Sequence, residues 1–145
     1  MTTLVTVLIA VGVALLLIGL LAMRWLRRAR AGAIAAGERL LGGREPVVVD
    51  TAANCFGLAS SGPGQVRGNG YLAATEDVVV FVMWVPRREV KIPRPLVVEA
   101  TTTRSHLGKT VNRDLLHLRW IAEDGSEEDS AFAVRNLGAW LDELG

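Results

Sequence analysis

The sequence predicts a single membrane-spanning helix followed by a small all-β domain, about seven strands in a bent sheet or partial barrel, closed by a C-terminal amphipathic helix. Three observations carry this reading. Leu4 to Met23 is an uncharged run of 20 residues near the start of a 145-residue chain. From Pro46 the texture changes to β-branched runs broken by Gly, Pro and Asp. The last residues then change period, from two to about 3.6.

A helix over Leu4–Met23 rises about 1.5 Å per residue and so spans roughly 30 Å, the thickness of a bilayer's hydrocarbon core. Gly12 and Gly19 are tolerated in such a helix. A cleaved signal peptide fits less well, because only Met1, Thr2 and Thr3 precede the apolar run and none has a charged side chain. Arg24, Arg27, Arg28 and Arg30 follow at once, with Trp25 suited to the interface. By the positive-inside rule they orient the chain with its N-terminus outside and the rest in the cytoplasm. These five residues are the candidate juxtamembrane lipid contacts, since each cation near an anionic surface contributes about 1 kcal/mol.

Ala31 to Leu41 (AGAIAAGERLL) continues helically and Gly42-Gly43 stops it. The expected organisation is therefore an extracytoplasmic N-terminus (1–3), a transmembrane helix (4–23), a basic juxtamembrane helix and connector (24–44), and a β domain with its closing helix (45–145).

Strands are predicted near 46–55, 66–74, 78–85, 88–93, 96–103, 114–122 and 127–134, several with the alternation of a half-buried strand. Val90 and Ile92 oppose Glu89 and Lys91. Leu116, Leu118 and Trp120 oppose His117 and Arg119. Ser130, Phe132 and Val134 oppose Asp129, Ala131 and Ala133. Val78–Val85 is apolar throughout, which predicts a central strand covered on both faces. Glu123-Asp124-Gly125-Ser126 reads as a hairpin turn and Pro86-Arg87 as another. At the end, Leu137, Trp140, Leu141 and Leu144 form one helical stripe, with Asn136 as its N-cap.

Charge and motif exclude several function classes. Beyond Arg30 there are 12 basic and 15 acidic residues, a net charge of −3, so nucleic-acid binding has no electrostatic support. The single cysteine, Cys55, excludes an internal disulfide. Gly108-Lys109-Thr110 echoes a phosphate-binding loop, but Thr103 stands where that loop needs its first glycine. Cys55, His106 and His117 lack the short spacings of metal ligands, and His117 falls on the polar face of its strand, so no metal site is expected. Ser105 and His106 are neighbours in an extended segment and point apart, which makes no nucleophile–base pair.

Seven strands and a closing helix with an inward Trp resemble the pleckstrin-homology superfold in its bacterial PH-like and GRAM-like forms. The segments GNGYLAATEDVVVFVMWVPRREVKIP (68–93), SHLGKT (105–110) and LLHLRW (115–120) are similar to an uncharacterised group of bacterial membrane-anchored proteins with such a domain. The resemblance implies a binding module rather than an enzyme. Phosphoinositide-binding members of that superfold place a Lys–Arg cluster in the first hairpin; here that loop, Ser60–Asn69, has Arg67 as its only basic residue, so phosphoinositide recognition is not expected.

Most cations of the β domain fall in two segments: Arg87, Arg88, Lys91 and Arg94 around one turn, and Arg104, Lys109 and Arg113, with His106, in what reads as a loop over 104–113. Together they are the candidate patch for an anionic head group or an acidic protein partner. The expected function is thus a non-enzymatic, membrane-tethered PH-like module without a cofactor, at the cytoplasmic face of a bacterial plasma membrane. The alternative expectation is an accessory subunit that assembles through its transmembrane helix.

Overall fold

The structure, a computed structural model, describes residues 1–65 and 67–145. One helix, α1 (Thr2–Leu41), is followed by seven strands: β1 (Val48–Leu58), β2 (Gly68–Ala74), β3 (Val78–Met83), β4 (Arg88–Pro93), β5 (Val97–His106), β6 (Lys109–Ile121) and β7 (Glu127–Ala133). A short helix, α2 (Leu137–Leu144), ends the chain. The strand predicted over 66–74 begins at Val66, which lies outside the described residues.

The strands form one antiparallel sheet in the order β4-β3-β2-β1-β7-β6-β5. β1 is shared by its two halves, pairing with β2 through Val48–Cys55 and with β7 through Asn54–Leu58. Two irregularities let it serve both. A bulge between Asp50 and Ala53 turns the Asp50 carboxylate inward, where it accepts from the backbone N–H groups of Ala52 and Arg135 at 2.9 and 2.8 Å. Gly57 then adopts a φ of 108°, open to glycine alone, as the strand bends between its two partners. The curled sheet encloses the main core: Leu72, Val79, Phe81, Leu116, Leu118, Phe132 and, from α2, Trp140. Asn136 caps α2 as the sequence predicts, its side-chain oxygen accepting from Ala139 N–H.

The apolar strand Val78–Met83 is fully buried, but it is not central. It lies second from the β4 edge, and α1 covers its outer face. This changes the meaning of the segment 31–41. Rather than a free connector, it is the docked end of a single 40-residue helix. Its buried stripe is made of small residues, Ala33, Ala36 and Gly37, followed by Leu41. Gly37 meets the Tyr71 ring so closely that a Cβ there would fall 2.2 Å from its Cδ1. Gly42, in the left-handed conformation, ends the helix with its N–H on the Arg39 carbonyl. Leu4–Met23 projects from this arrangement without touching the sheet, its large apolar side chains exposed. It is long and apolar enough to span a membrane.

A further difference concerns residues 104–113. They form no loop: β5 and β6 continue through them to a two-residue turn, Leu107-Gly108, with φ values of 51° and 75°. Both signs are positive, as in the tight turns that match strand twist. The pairing slips sharply here, from Thr103 opposite Leu115 to Ser105 opposite Thr110. The extra β6 residues bend the hairpin so that its tip reaches the outer side of β1. Lys109 Nζ donates to the carbonyls of Phe56 and Pro63. Val111 and Leu115 enclose Phe56 and Ala131 in a small second core.

Candidate functional site

The predicted cationic patch is only partly assembled: Arg88 and Lys109 both reach the 62–65 segment, on Gln65 and on the Pro63 carbonyl, while the other cations lie elsewhere. Arg88 and Lys91 lie on β4, while Arg104, Lys109 and Arg113 belong to the β5–β6 hairpin at the other end of the strand order. Most are committed locally. Arg104 pairs with Asp114 at 2.7 Å, and Arg113 donates to the Val134 carbonyl at 2.9 Å. Arg88 donates to Gln65, which itself holds the 59–65 segment by bonding both the N–H and C=O of Leu58. His106 is no surface residue at all, being 7% exposed. Arg67 stacks over Phe56 at 4.6 Å, which occupies the lone cation of the first hairpin.

A different grouping emerges beside α1. The β3–β4 turn, which contains a cis Val85–Pro86 peptide, leans on the helix: Arg87 donates to the Ala29 carbonyl at 3.1 Å. Arg30 lies over the half-buried Trp84 ring at 5.6 Å and donates to Thr51 Oγ1 at 2.8 Å. Of the juxtamembrane residues, Arg24, Trp25, Arg27 and Arg28 remain exposed, whereas Arg30 is drawn onto the domain through Trp84 and Thr51. Ala29 lies six residues beyond Met23, about 9 Å further along the helix axis. Arg87 thus shares one end of the molecule with the basic turn of α1.

The open side of the curled sheet forms a cleft of about 360 Å³ between β4 and the ends of β6 and β7. Glu89, Glu123 and Glu128 line it against one cation, Lys91. Glu128 is buried and accepts from the Ser60 N–H at 3.0 Å and from the Ser60 hydroxyl. An acidic cleft of this kind repels anionic ligands.

The outer face of β7 carries the grouping that spacing hides. His106, His117 and Asp129 converge, with one potential ligand atom from each lying within 4.8 Å of the others. Asp129 Oδ1 is 3.4 Å from His106 Nδ1 and 3.4 Å from His117 Nε2. His106 Nε2 lies 2.9 Å from the Gly57 carbonyl, which also accepts from Ser130 Oγ at 2.8 Å. His117 is therefore not merely a solvated strand residue. Nearby Cys55 is buried against Ser130, and burial pushes its thiol pKa up despite that hydrogen bond. Little thiolate forms at neutral pH, which disarms it as a nucleophile. Ser105 points outward, away from His106, as its alternation requires.

Comparison with known proteins gives the fold alone. No family model matches the chain, and no curated protein matches it. Among solved structures, the chain is similar to the C-terminal domain of an unknown protein from Leishmania infantum, with a TM-score of 0.53 and 11% identity. That likeness covers 79% of this chain and 93% of the other. What the chain shares with it is an architecture.

Proposed function

We propose that the chain is a non-enzymatic, PH-like module, tethered by α1 to the cytoplasmic face of a bacterial membrane and engaging anionic head groups with its membrane-proximal end. The observation that carries this reading is the docking of the β3–β4 turn on α1 through Arg87, Ala29, Arg30 and Trp84. It makes helix and sheet one body, so the arginines of both share a single basic end. The orientation rests on the positive-inside rule. The PH-like reading is supported by two antiparallel halves joined through β1, with a C-terminal helix closing the core. Head groups suit the basic end better than the acidic cleft, and a protein partner would have to match that same charge.

The test is co-flotation of residues 24–145, which keep the docked helix segment, with vesicles containing anionic lipid across a salt series. Binding is expected at low salt and should fall as salt rises. Replacing Arg24, Arg27 and Arg28 with Gln should weaken it by roughly a hundredfold, at about 1 kcal/mol per cation. Arg87→Gln should cost a further several-fold, since its guanidinium lies beside α1. Flotation insensitive to salt and to these changes would contradict the proposal.

A further inference from the structure

The hydrogen bonds around His106 leave a chemical mismatch. Its Nε2 faces only a carbonyl, that of Gly57, at 2.9 Å, so Nε2 carries the N–H. In the neutral ring Nδ1 is then a bare lone pair, and it faces a second acceptor, Asp129 Oδ1, at 3.4 Å. His117 Nε2 faces the same oxygen at the same distance. The His117 Nε2 can turn a lone pair to the same oxygen, and three acceptors then meet with no donor among them. At 3.4 Å both contacts are longer than a charge-assisted hydrogen bond of about 2.7–2.9 Å.

The spacing suits a metal instead. Ligands about 2.0–2.1 Å from a tetrahedral ion lie roughly 3.3–3.4 Å from one another. The two histidine–carboxylate edges, at 3.4 Å, already match this. The histidine–histidine edge is at most 4.8 Å. A rotation of the His117 ring, whose side chain is 21% exposed, would shorten it. The Gly57 carbonyl is the kind of outer partner that ligating histidines use to fix their tautomer. Arg119, opposite Asp129 in the β6–β7 register, reaches Glu99 Oε2 at 3.3 Å.

We infer that His106, His117 and Asp129 form a binding site for a divalent transition-metal ion of the zinc class, with its fourth position open to water. Two imidazoles and a carboxylate suit zinc and its first-row neighbours better than magnesium or calcium, which prefer all-oxygen ligands. The ion ties the end of β5 and the second half of β6 to β7 and, through Gly57, to β1. It thereby clamps the bent hairpin over the second core.

These are the only two histidines of the chain, so histidine coordination can be read without ambiguity. The full chain, purified in detergent without a histidine tag and stripped with chelator, is titrated with Co²⁺ and then with Zn²⁺. The expected result is one equivalent of Co²⁺ with the intense visible bands of a four-coordinate site, displaced by one equivalent of Zn²⁺. Both histidine ring resonances should shift, and thermal stability should rise with Zn²⁺. His117→Gln and Asp129→Asn, at partly exposed positions, should each weaken binding by more than about a hundredfold while the native fold persists. Absence of a stoichiometric four-coordinate spectrum in the wild type would overturn the inference. So would binding unchanged in both variants.

Discussion

Trp140→Ala should destabilise the domain by about 3–5 kcal/mol, the cost of deleting a large buried aromatic. Trp140 is 1% exposed and sits in the main core with Leu116, Leu118 and Phe132. The helix that carries it has only 8 residues, too short to persist by its own hydrogen bonds. Its Asn136 cap contributes about 1 kcal/mol, so most of what holds α2 in place is packing. Arg94 adds a second attachment, donating to the Glu143 side chain and backbone carbonyl at 2.8 Å each. Without the indole the open end of the curled sheet loses its plug, and a domain of this size has few kcal/mol to spare. Denaturant titration should show a midpoint shifted sharply down, with loss of protection in α2. A midpoint within 1 kcal/mol of wild type would mean that α2 is not part of the core.

Gly37→Leu should separate α1 from the sheet. Even a methyl group at this position would meet the Tyr71 ring at 2.2 Å, and the ring is itself buried between helix and sheet. Overpacking of such a contact costs about 1–3 kcal/mol for a small added group, and leucine adds more. The chain's only tyrosine reports the event. Burial pushes the Tyr71 phenol above its ordinary pKa, and Glu38 on α1 adds to this. Because the ionised form is disfavoured in the docked state, docking is strongest below the ordinary tyrosine pKa of about 10 and weakens as pH rises through it. In Gly37→Leu, ultraviolet titration should show the phenol ionising at lower pH than in wild type. Amide exchange should also accelerate over residues 29–41 and β3. An unchanged titration would show that the helix tolerates leucine and that the close approach is not required.

What the sequence reveals here, and what it hides, follows from the range of the interactions. Alternation and turn chemistry are local, so seven strands, the Asp124-Gly125 hairpin and the α2 stripe with its Asn136 cap were readable, but not the run of β5 and β6 through 104–113 to the Leu107-Gly108 turn. The docking of 33–41 was not. A stripe of Ala33, Ala36 and Gly37 has little hydrophobicity to announce a buried face, and its logic is close approach to Tyr71, which no periodicity records. The burial of Val78–Met83 on both faces was legible, but not that a helix supplies one of the covers.

The His106–His117–Asp129 grouping divides in the same way. The β6–β7 hairpin is regular from its turn, so Arg119 opposite Asp129, with His117 diagonal to it, follows from the sequence once the turn is known. His106 depends instead on the slip in the β5–β6 pairing, where residues 111–114 stand against Arg104 alone. Only that irregularity carries the hairpin tip over β7 and β1. The basic segments illustrate the converse. Arg87 and Arg104 are both near clusters of cations in the sequence, yet one meets α1 and the other pairs with Asp114.

In the proposed placement α1 crosses the membrane and holds the β domain on its cytoplasmic side. The decisive experiment is protease treatment of host membrane vesicles in the two orientations, with the C-terminal domain followed by an antibody. The domain should stay with the membrane after alkaline washing, be protected in right-side-out vesicles, and be digested in inverted ones. Release on washing, or digestion in right-side-out vesicles, would contradict that placement.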